Sequence, residues 1–181
     1  YDFSAHRCVL DVGAGKARFA SELAMHAPHL QLKLFDLPPV LQLADAHIQS
    51  MGLSERMQLH PGSFLHDPLP KGADVVTLLR VAHDHPDDVV KKLLVKIHAA
   101  LEIGGTLLLA EPMAQTQSAT HAGAAQTDAY FHFYLLAMGA GRLRTPEELM
   151  RLMTEAGFED VARVPNSLPI HAQLLAGRKN K

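Results

Sequence analysis

The stretch Val9-Leu10-Asp11-Val12-Gly13-Ala14-Gly15-Lys16-Ala17 runs from an apolar strand through a glycine turn into a helix. That order brings backbone amides and a helix start close to a ligand at the end of a strand, as nucleoside-binding α/β domains require. A dinucleotide fingerprint would place a third glycine at position 18, where a pyrophosphate approaches the helix, but the chain has Arg18 there and the small Ala17 one place earlier. The spacing therefore favours a nucleoside without a diphosphate.

Working outward, residues 31–35 read as a second strand that ends in Asp36, 23 residues after Gly13. This is about the offset at which a carboxylate accepts hydrogen bonds from two ribose hydroxyls. Leu37-Pro38-Pro39 then breaks the strand. Two plainer readings stand beside this one: a tight turn that binds nothing, and an Asp36 that only caps the following helix.

The same alternation continues along the chain. Apolar runs at 9–12, 30–35, 57–59, 75–79 and 106–110 predict strands, and periodic patterns at 18–26, 40–51 and 89–101 predict helices. A helix at 146–156, stopped by Gly157, precedes two strands near 161–164 and 170–176 that lie too close for a crossover helix. The expected fold is α/β: a doubly wound, mostly parallel seven-stranded sheet with a C-terminal antiparallel hairpin at one edge. Residues 1–181 form one domain in this reading.

Composition excludes several classes. The chain has 181 residues, 48% of them hydrophobic, with a net charge of -2 and no apolar run long enough for a membrane span. Scattered Lys and Arg give no footprint for nucleic acid. The single cysteine, Cys8, excludes a disulfide framework, and with no visible signal peptide a cytoplasmic location is expected. Because the first residue is Tyr1 rather than Met, the chain is expected to be part of a longer polypeptide.

Chemistry concentrates in Arg80-Val81-Ala82-His83-Asp84-His85-Pro86-Asp87-Asp88, just past the fourth strand. A histidine there can be neutral near pH 7 and take a proton from a bound hydroxyl. Glu111 ends an otherwise apolar strand at the same edge and is the candidate to orient His83, since burying it alone would be costly. Pro86, Asp87 and Asp88 read as a helix start with acids complementing the dipole, outside the chemistry, and Asp84 as a cap or supporting residue. A satisfied loop histidine is the plainer reading of His83. Twelve histidines are spread along the chain, but the His-Asp-His spacing matches no closed metal-ligand set, so no metal is expected.

An insertion at about 113–144 interrupts the alternation. It begins small and polar, then carries Tyr130, Phe131, Phe133, Tyr134 and Met138, and it leaves from the edge of the sheet where ligands bind. Such a segment can roof an apolar pocket or pack as an ordinary core or subunit-contact helix.

Leu10-Asp11-Val12-Gly13-Ala14-Gly15, Phe35-Asp36-Leu37-Pro38, Gly62-Ser63-Phe64, Arg80-Val81-Ala82-His83-Asp84, Leu109-Ala110-Glu111-Pro112 and Arg142-Leu143-Arg144-Thr145 stand in a recognisable order. They resemble the S-adenosylmethionine-dependent O-methyltransferases related to plant caffeic acid O-methyltransferase. The resemblance implies a Rossmann-like methyltransferase domain in which His83 deprotonates the acceptor hydroxyl with Glu111 in support. It also implies that Asp11, Gly13 and Gly15 lie at the methionine end of S-adenosylmethionine, Asp36 at the ribose, and Leu37, Ser63 and Phe64 at the adenine. Residues 130–142 further resemble the carotenoid methyltransferases of purple bacteria that act on hydroxyneurosporene and demethylspheroidene. This implies an apolar acceptor held by Tyr130, Phe131, Tyr134 and Met138, and a separate N-terminal dimerisation domain that this chain lacks, making a homodimer of the longer protein. Three positions depart from the family: Ser63 where Asp is frequent, Leu79 where a polar residue is frequent, and Leu143 where a second glutamate stands. Phenolic or tetrapyrrole acceptors, a noncatalytic binding module and a nicotinamide-dependent oxidoreductase remain as alternatives.

Overall fold

A computed structural model describes residues 1–114, 141–166 and 172–181. Among them a seven-stranded sheet is assembled from β1 (Cys8–Val12), β2 (Gln31–Asp36), β3 (Met57–Pro61), β4 (Ala73–Leu79), β5 (Leu101–Glu111), β6 (Glu159–Val164) and β7 (Gln173–Arg178). Four α-helices accompany it: α1 (Arg18–His26), α2 (Pro38–Ser50), α3 (Asp87–Ala100) and α4 (Pro146–Glu155). The strand order is β3-β2-β1-β4-β5-β7-β6, with β1 to β5 mutually parallel and β7 antiparallel to both β5 and β6. The expected fold class and the C-terminal hairpin are present.

Alternating side chains explain why the central strands are apolar almost throughout. In β1, Val9 packs with Ala20 and Leu23 of α1 and with Leu41 and Ile48 of α2. Leu10 and Val12 pack on the other face with Leu93, Leu94 and Ile97 of α3 and with Leu149 and Leu152 of α4. Strands covered on both faces need hydrophobic residues at both parities, which is why their sequences read as runs rather than alternations. Each fully buried leucine in these layers stabilises the fold by about 1.5–3 kcal/mol relative to an exposed one.

The elements at the outer rims are irregular. β3 spans five residues and ends in Pro61, while β6 has a register shift between Glu159 and Ala162, with Asp160 at φ 51°.

Most element boundaries fall within two or three residues of expectation, and two of the differences bear on the site. β5 begins at Leu101 rather than near 106, because the strand continues through Gly104 and Gly105 after a register irregularity against β4. Gly104 sits at φ 81°, and a Cβ on Gly105 would lie 2.9 Å from the Asp74 carbonyl oxygen, so these glycines permit a bulge and a close approach. At α2 the residue before the helix is Leu37, with no side-chain cap. Asp36 is therefore free of the capping role.

The chain leaves β1 toward β2 and β3 on one side and returns through β4 and β5 on the other. The strand order reverses between β1 and β4, so the connections that leave these two neighbours run to opposite sides, and that is where open α/β sheets receive ligands. Among the described residues no helix is long and apolar enough to cross a membrane.

Candidate active site

The residues singled out in the sequence lie at or just past the carboxyl ends of the parallel strands. After β1, Gly13 (φ 76°), Gly15 (φ 57°) and Ala17 (φ 59°) adopt left-handed backbone, and Ala17 leads directly into α1. A Cβ on Gly13 would come within 2.5 Å of Val81 Cγ2, whereas the space beside Gly15 is open. The turn is thus closed on the side of the histidine loop and accessible at its tip.

The Asp36 carboxylate accepts from the Gly15 amide at 2.8 Å and from the Leu37 amide at 2.7 Å. Two bonds to a carboxylate leave acceptor capacity on both oxygens for a diol. Gly13, Asp36, Leu37, Ser63, Phe64 and Arg80 are among the residues lining a cleft of about 290 Å³. Four of the residues expected at the nucleoside, Asp36, Leu37, Ser63 and Phe64, share this one space with Gly13, expected at the methionine end. Leu65, Val81, Asp84 and His85 also line it. His85 meets the Phe64 ring edge-on with centroids 5.2 Å apart. Sequence reasoning missed His85 as a wall of the cleft, although the apolar Val81 four residues earlier and the aromatic Phe64 were visible signals of a partly dry surface.

The Ser63–Phe64 loop is held from below. Asp67 accepts from the Ser63 amide at 2.8 Å, the Ser63 hydroxyl accepts from the Leu65 amide at 3.3 Å, and Lys96 Nζ donates to the Phe64 carbonyl at 2.7 Å. The serine departure therefore places a turn-forming hydroxyl where the family frequently has a carboxylate.

Asp11 is buried under the glycine turn and accepts from the Thr77 hydroxyl at 2.6 Å. Burial pushes its carboxyl up to about 6; the Thr77 hydrogen bond opposes the rise and the nearby Asp36 adds to it. The structure places it beneath the turn, outside the residues lining the cleft.

The second half of the site lies between β4 and β5. Glu111, 1% exposed, turns its carboxylate under the loop that follows β4. One oxygen accepts from the Val81 and Ala82 amides at 2.8 and 2.7 Å, and the other lies 2.6 Å from His83 Nδ1. A carboxylate oxygen accepts, so Nδ1 is the donor of this contact and Nε2 is the ring nitrogen left for a second partner. His83 is 4% exposed, more enclosed than its loop position suggests. Its Nε2 lies 3.4 Å from Asp84 Oδ1, which is buried and has no hydrogen-bond partner among the described residues. The two ring nitrogens thus face two carboxylates.

The carbonyl side of the same loop is tied to residues 142–144. Arg142 N donates to the His83 carbonyl at 3.0 Å, and the buried Arg144 guanidinium donates to the Ala82 and His85 carbonyls at 2.8 and 2.7 Å. Asp87 receives Arg144 Nε at 2.8 Å and Arg142 Nη2 at 3.0 Å. Hydrogen bonds from Arg142 hold the Asp87 carboxyl down at about 2, with Arg144 adding to the effect. Asp87 does open α3 as expected, but its side chain also anchors two arginines 55 and 57 residues away.

Leu143 is buried beside Ala114, so the position of the family's second glutamate is apolar here. Leu79 lines a separate apolar cavity of about 430 Å³ with Phe19, Thr77, Leu108, Ala110 and Leu174, and Arg80 borders both this cavity and the cleft. Tyr130, Phe131, Tyr134 and Met138 lie outside the described residues. Among the described residues no group of three His, Cys, Asp or Glu is arranged to hold a metal ion.

Residues 1–159 match the O-methyltransferase domain family. The chain belongs to that family. This O-methyltransferase domain is 46% identical over 155 residues to demethylspheroidene O-methyltransferase of Rhodobacter capsulatus, covering 86% of this chain and 37% of that protein. It is 39% identical over 168 residues to the enzyme of the same name from Cereibacter sphaeroides, covering 93% of this chain and 43% of that one. The domain thus spans well under half the length of these curated relatives. Its backbone also matches human N-acetylserotonin methyltransferase in complex with SAM, with a TM-score of 0.84, 26% identity, and coverage of 100% of this chain and 50% of that chain. The fold is that of the class I S-adenosylmethionine methyltransferases.

Proposed function

We propose that this domain transfers a methyl group from S-adenosylmethionine to a hydroxyl of a hydrophobic acceptor, a hydroxylated carotenoid of the demethylspheroidene or hydroxyneurosporene type. The observation that carries the reading is the 2.6 Å contact between His83 Nδ1 and the buried Glu111, next to a cleft that presents Asp36 and a glycine turn. The residues fit the cofactor: Asp36 offers oxygens to a ribose, Leu37 and Phe64 offer apolar surface to an adenine, and the open tip at Gly15 admits the methionine end.

When bound, S-adenosylmethionine supplies a methyl on a positively charged sulfur, which is already an excellent leaving group. The protein's task is to place the acceptor oxygen and remove its proton. His83 Nε2 takes that proton while the oxygen forms its bond to the methyl carbon and the carbon–sulfur bond breaks onto sulfur. The doubly protonated ring then lies between Glu111 and Asp84, with negative charge at both nitrogens. A tertiary alcohol is weakly acidic and a poor nucleophile, so a carotenoid acceptor depends on this base more than a phenol does. The identities of 46% and 39% to demethylspheroidene O-methyltransferases support the polyene class, and the apolar cavity adjoining the cleft at Arg80 suits a hydrophobic acceptor. We place the reaction in the cytoplasm and, for the longer protein, in a homodimer.

The test is a mass-spectrometric assay of the full-length protein with demethylspheroidene, hydroxyneurosporene and a panel of small phenols, run beside His83→Gln. A methyl gain on the carotenoids that falls by roughly 100-fold or more in the variant, with S-adenosylhomocysteine affinity unchanged, is the expected result. Methylation of phenols alone would move the assignment to that acceptor class. Unchanged turnover in His83→Gln would remove His83 from the mechanism, and preferential binding of NAD would remove the cofactor assignment. A second reading, a noncatalytic binding module, is favoured by the apolar Leu143 and predicts binding with no methyl transfer to any acceptor.

A further inference from the structure

We infer that Arg144 is a positioning residue for methyl transfer: by holding the carbonyl groups on either side of the His83–Asp84 dipeptide, it fixes the imidazole in its reactive orientation. The inference rests on the reading of His83 as the base.

The loop that carries His83 is gripped from two sides. Glu111 collects its amide hydrogens, those of Val81 and Ala82, together with the ring nitrogen Nδ1. Arg144 collects its carbonyl oxygens, those of Ala82 and His85, while the adjacent Arg142 amide takes the His83 carbonyl. Glu111 holds the start of the loop and one ring nitrogen, whereas the carbonyls from Ala82 to His85 are held only from the arginine side, and the direction of the backbone that carries the imidazole depends on both.

Arg144 suits this task physically. It is 2% exposed, so its hydrogen bonds do not compete with bulk water, and a guanidinium presents its donors in one rigid plane. The three donors used here diverge to Ala82, His85 and Asp87 from that single plane. Its charge is balanced by Asp87 at 2.7 Å, and Asp87 is itself fixed at the start of α3. The Arg144 carbonyl also accepts from the Ala114 amide at 2.9 Å, and Thr145 follows as the N-cap of α4, closing a reciprocal capping box with Glu148. The arginine is thus anchored to β5's exit, to α3 and to α4, and a loop held by it moves only if all three move. A lysine can reach one or two of the partners with a point charge but cannot satisfy all three in one plane.

The experiment uses the full-length protein with demethylspheroidene as acceptor and compares wild type, Arg144→Lys, Asp87→Asn, His83→Ala and the double variant Arg144→Lys/His83→Ala. In each, S-adenosylhomocysteine affinity by calorimetry and the melting temperature report on the fold. Arg144→Lys should lower kcat by roughly tenfold to a hundredfold, with cofactor affinity within about twofold of wild type, because a displacement of about 1 Å at a reacting group suffices for that loss. Asp87→Asn, which frees Arg144 on one side only, should give a smaller loss in the same parameter. In the His83→Ala background, Arg144→Lys should cost no further turnover, since there is no imidazole left to position.

An equal loss in both backgrounds, or a loss confined to cofactor affinity and melting temperature, would overturn the inference while leaving the base reading intact. Full turnover in His83→Ala would overturn the base reading and this inference with it.

Discussion

The two halves of the site are built on opposite plans. Between β1 and β2, Asp36 makes two backbone hydrogen bonds and keeps oxygen lone pairs facing an open cleft, and Gly15 leaves empty space at the tip of its turn. Between β4 and β5, Glu111 is buried, and its carboxylate is used by two amides and an imidazole within 2.8 Å. The first half must accept and release a ligand, so its polar groups are left with capacity. The second must hold one nitrogen still, so the Glu111 carboxylate is consumed by the protein itself. The difference shows where substitutions change binding and where they change the fold.

The largest effect separating the halves belongs to Glu111. Replacing it with Ala strands two amides and the His83 ring and should destabilise the domain by on the order of 3–5 kcal/mol in urea unfolding, with activity lost. A loss below about 1 kcal/mol would mean the loop is held by its arginine side alone.

Next comes Asp11, which lies under the open half but is buried like the closed one. Its carboxyl is raised by burial to about 6 from an ordinary value of 3.8, so between those pH values the folded state retains a proton that the unfolded state has released. Stability from this group is full below about pH 4 and falls as pH rises to about 6. Two pH units of difference correspond to about 3 kcal/mol. Asp11→Asn should therefore gain on wild type across that window and run parallel to it above, as followed by denaturant midpoints at pH 4, 5, 6 and 7. Parallel curves throughout would show that water reaches the carboxylate.

The smallest effect on the fold falls at Asp36. Asp36→Ala should weaken S-adenosylhomocysteine binding by roughly 10- to 100-fold in calorimetry, the equivalent of a hydrogen-bonded charge, while the melting temperature barely moves. If the melting temperature collapses and affinity holds, the comparison between the halves is wrong.

Much of this was legible in the chain because local spacing encodes it. Helix α1 falls on the expected residues 18–26, and the Gly13-Ala14-Gly15 turn and Asp36 converge as strand–turn–helix geometry requires. Glu111 pairs with His83 because a carboxylate ending an apolar strand demands a partner, a rule of burial rather than of pattern. The arginine side was illegible for the opposite reason. Asp87 beside Pro86 has the signature of a helix start, and it is one, so nothing local announces a second role with Arg142 and Arg144 more than 50 residues later. The first residues of β5 were illegible too, because the apolar run that marks the strand starts at 106, while residues 102–105 carry two glycines and join the strand through a bulge.

The irregular rims of the sheet have a consequence for how the molecule behaves in a crowd. A straight, unprotected outer strand invites another chain to add its backbone and extend the ladder into an aggregate. Here one rim is short and terminates in proline, and the other is kinked at Asp160 between charged Glu159 and Arg163. Neither offers a flat run of free amides, so a protein whose interior is rich in strand-forming residues is guarded against polymerising through its own borders.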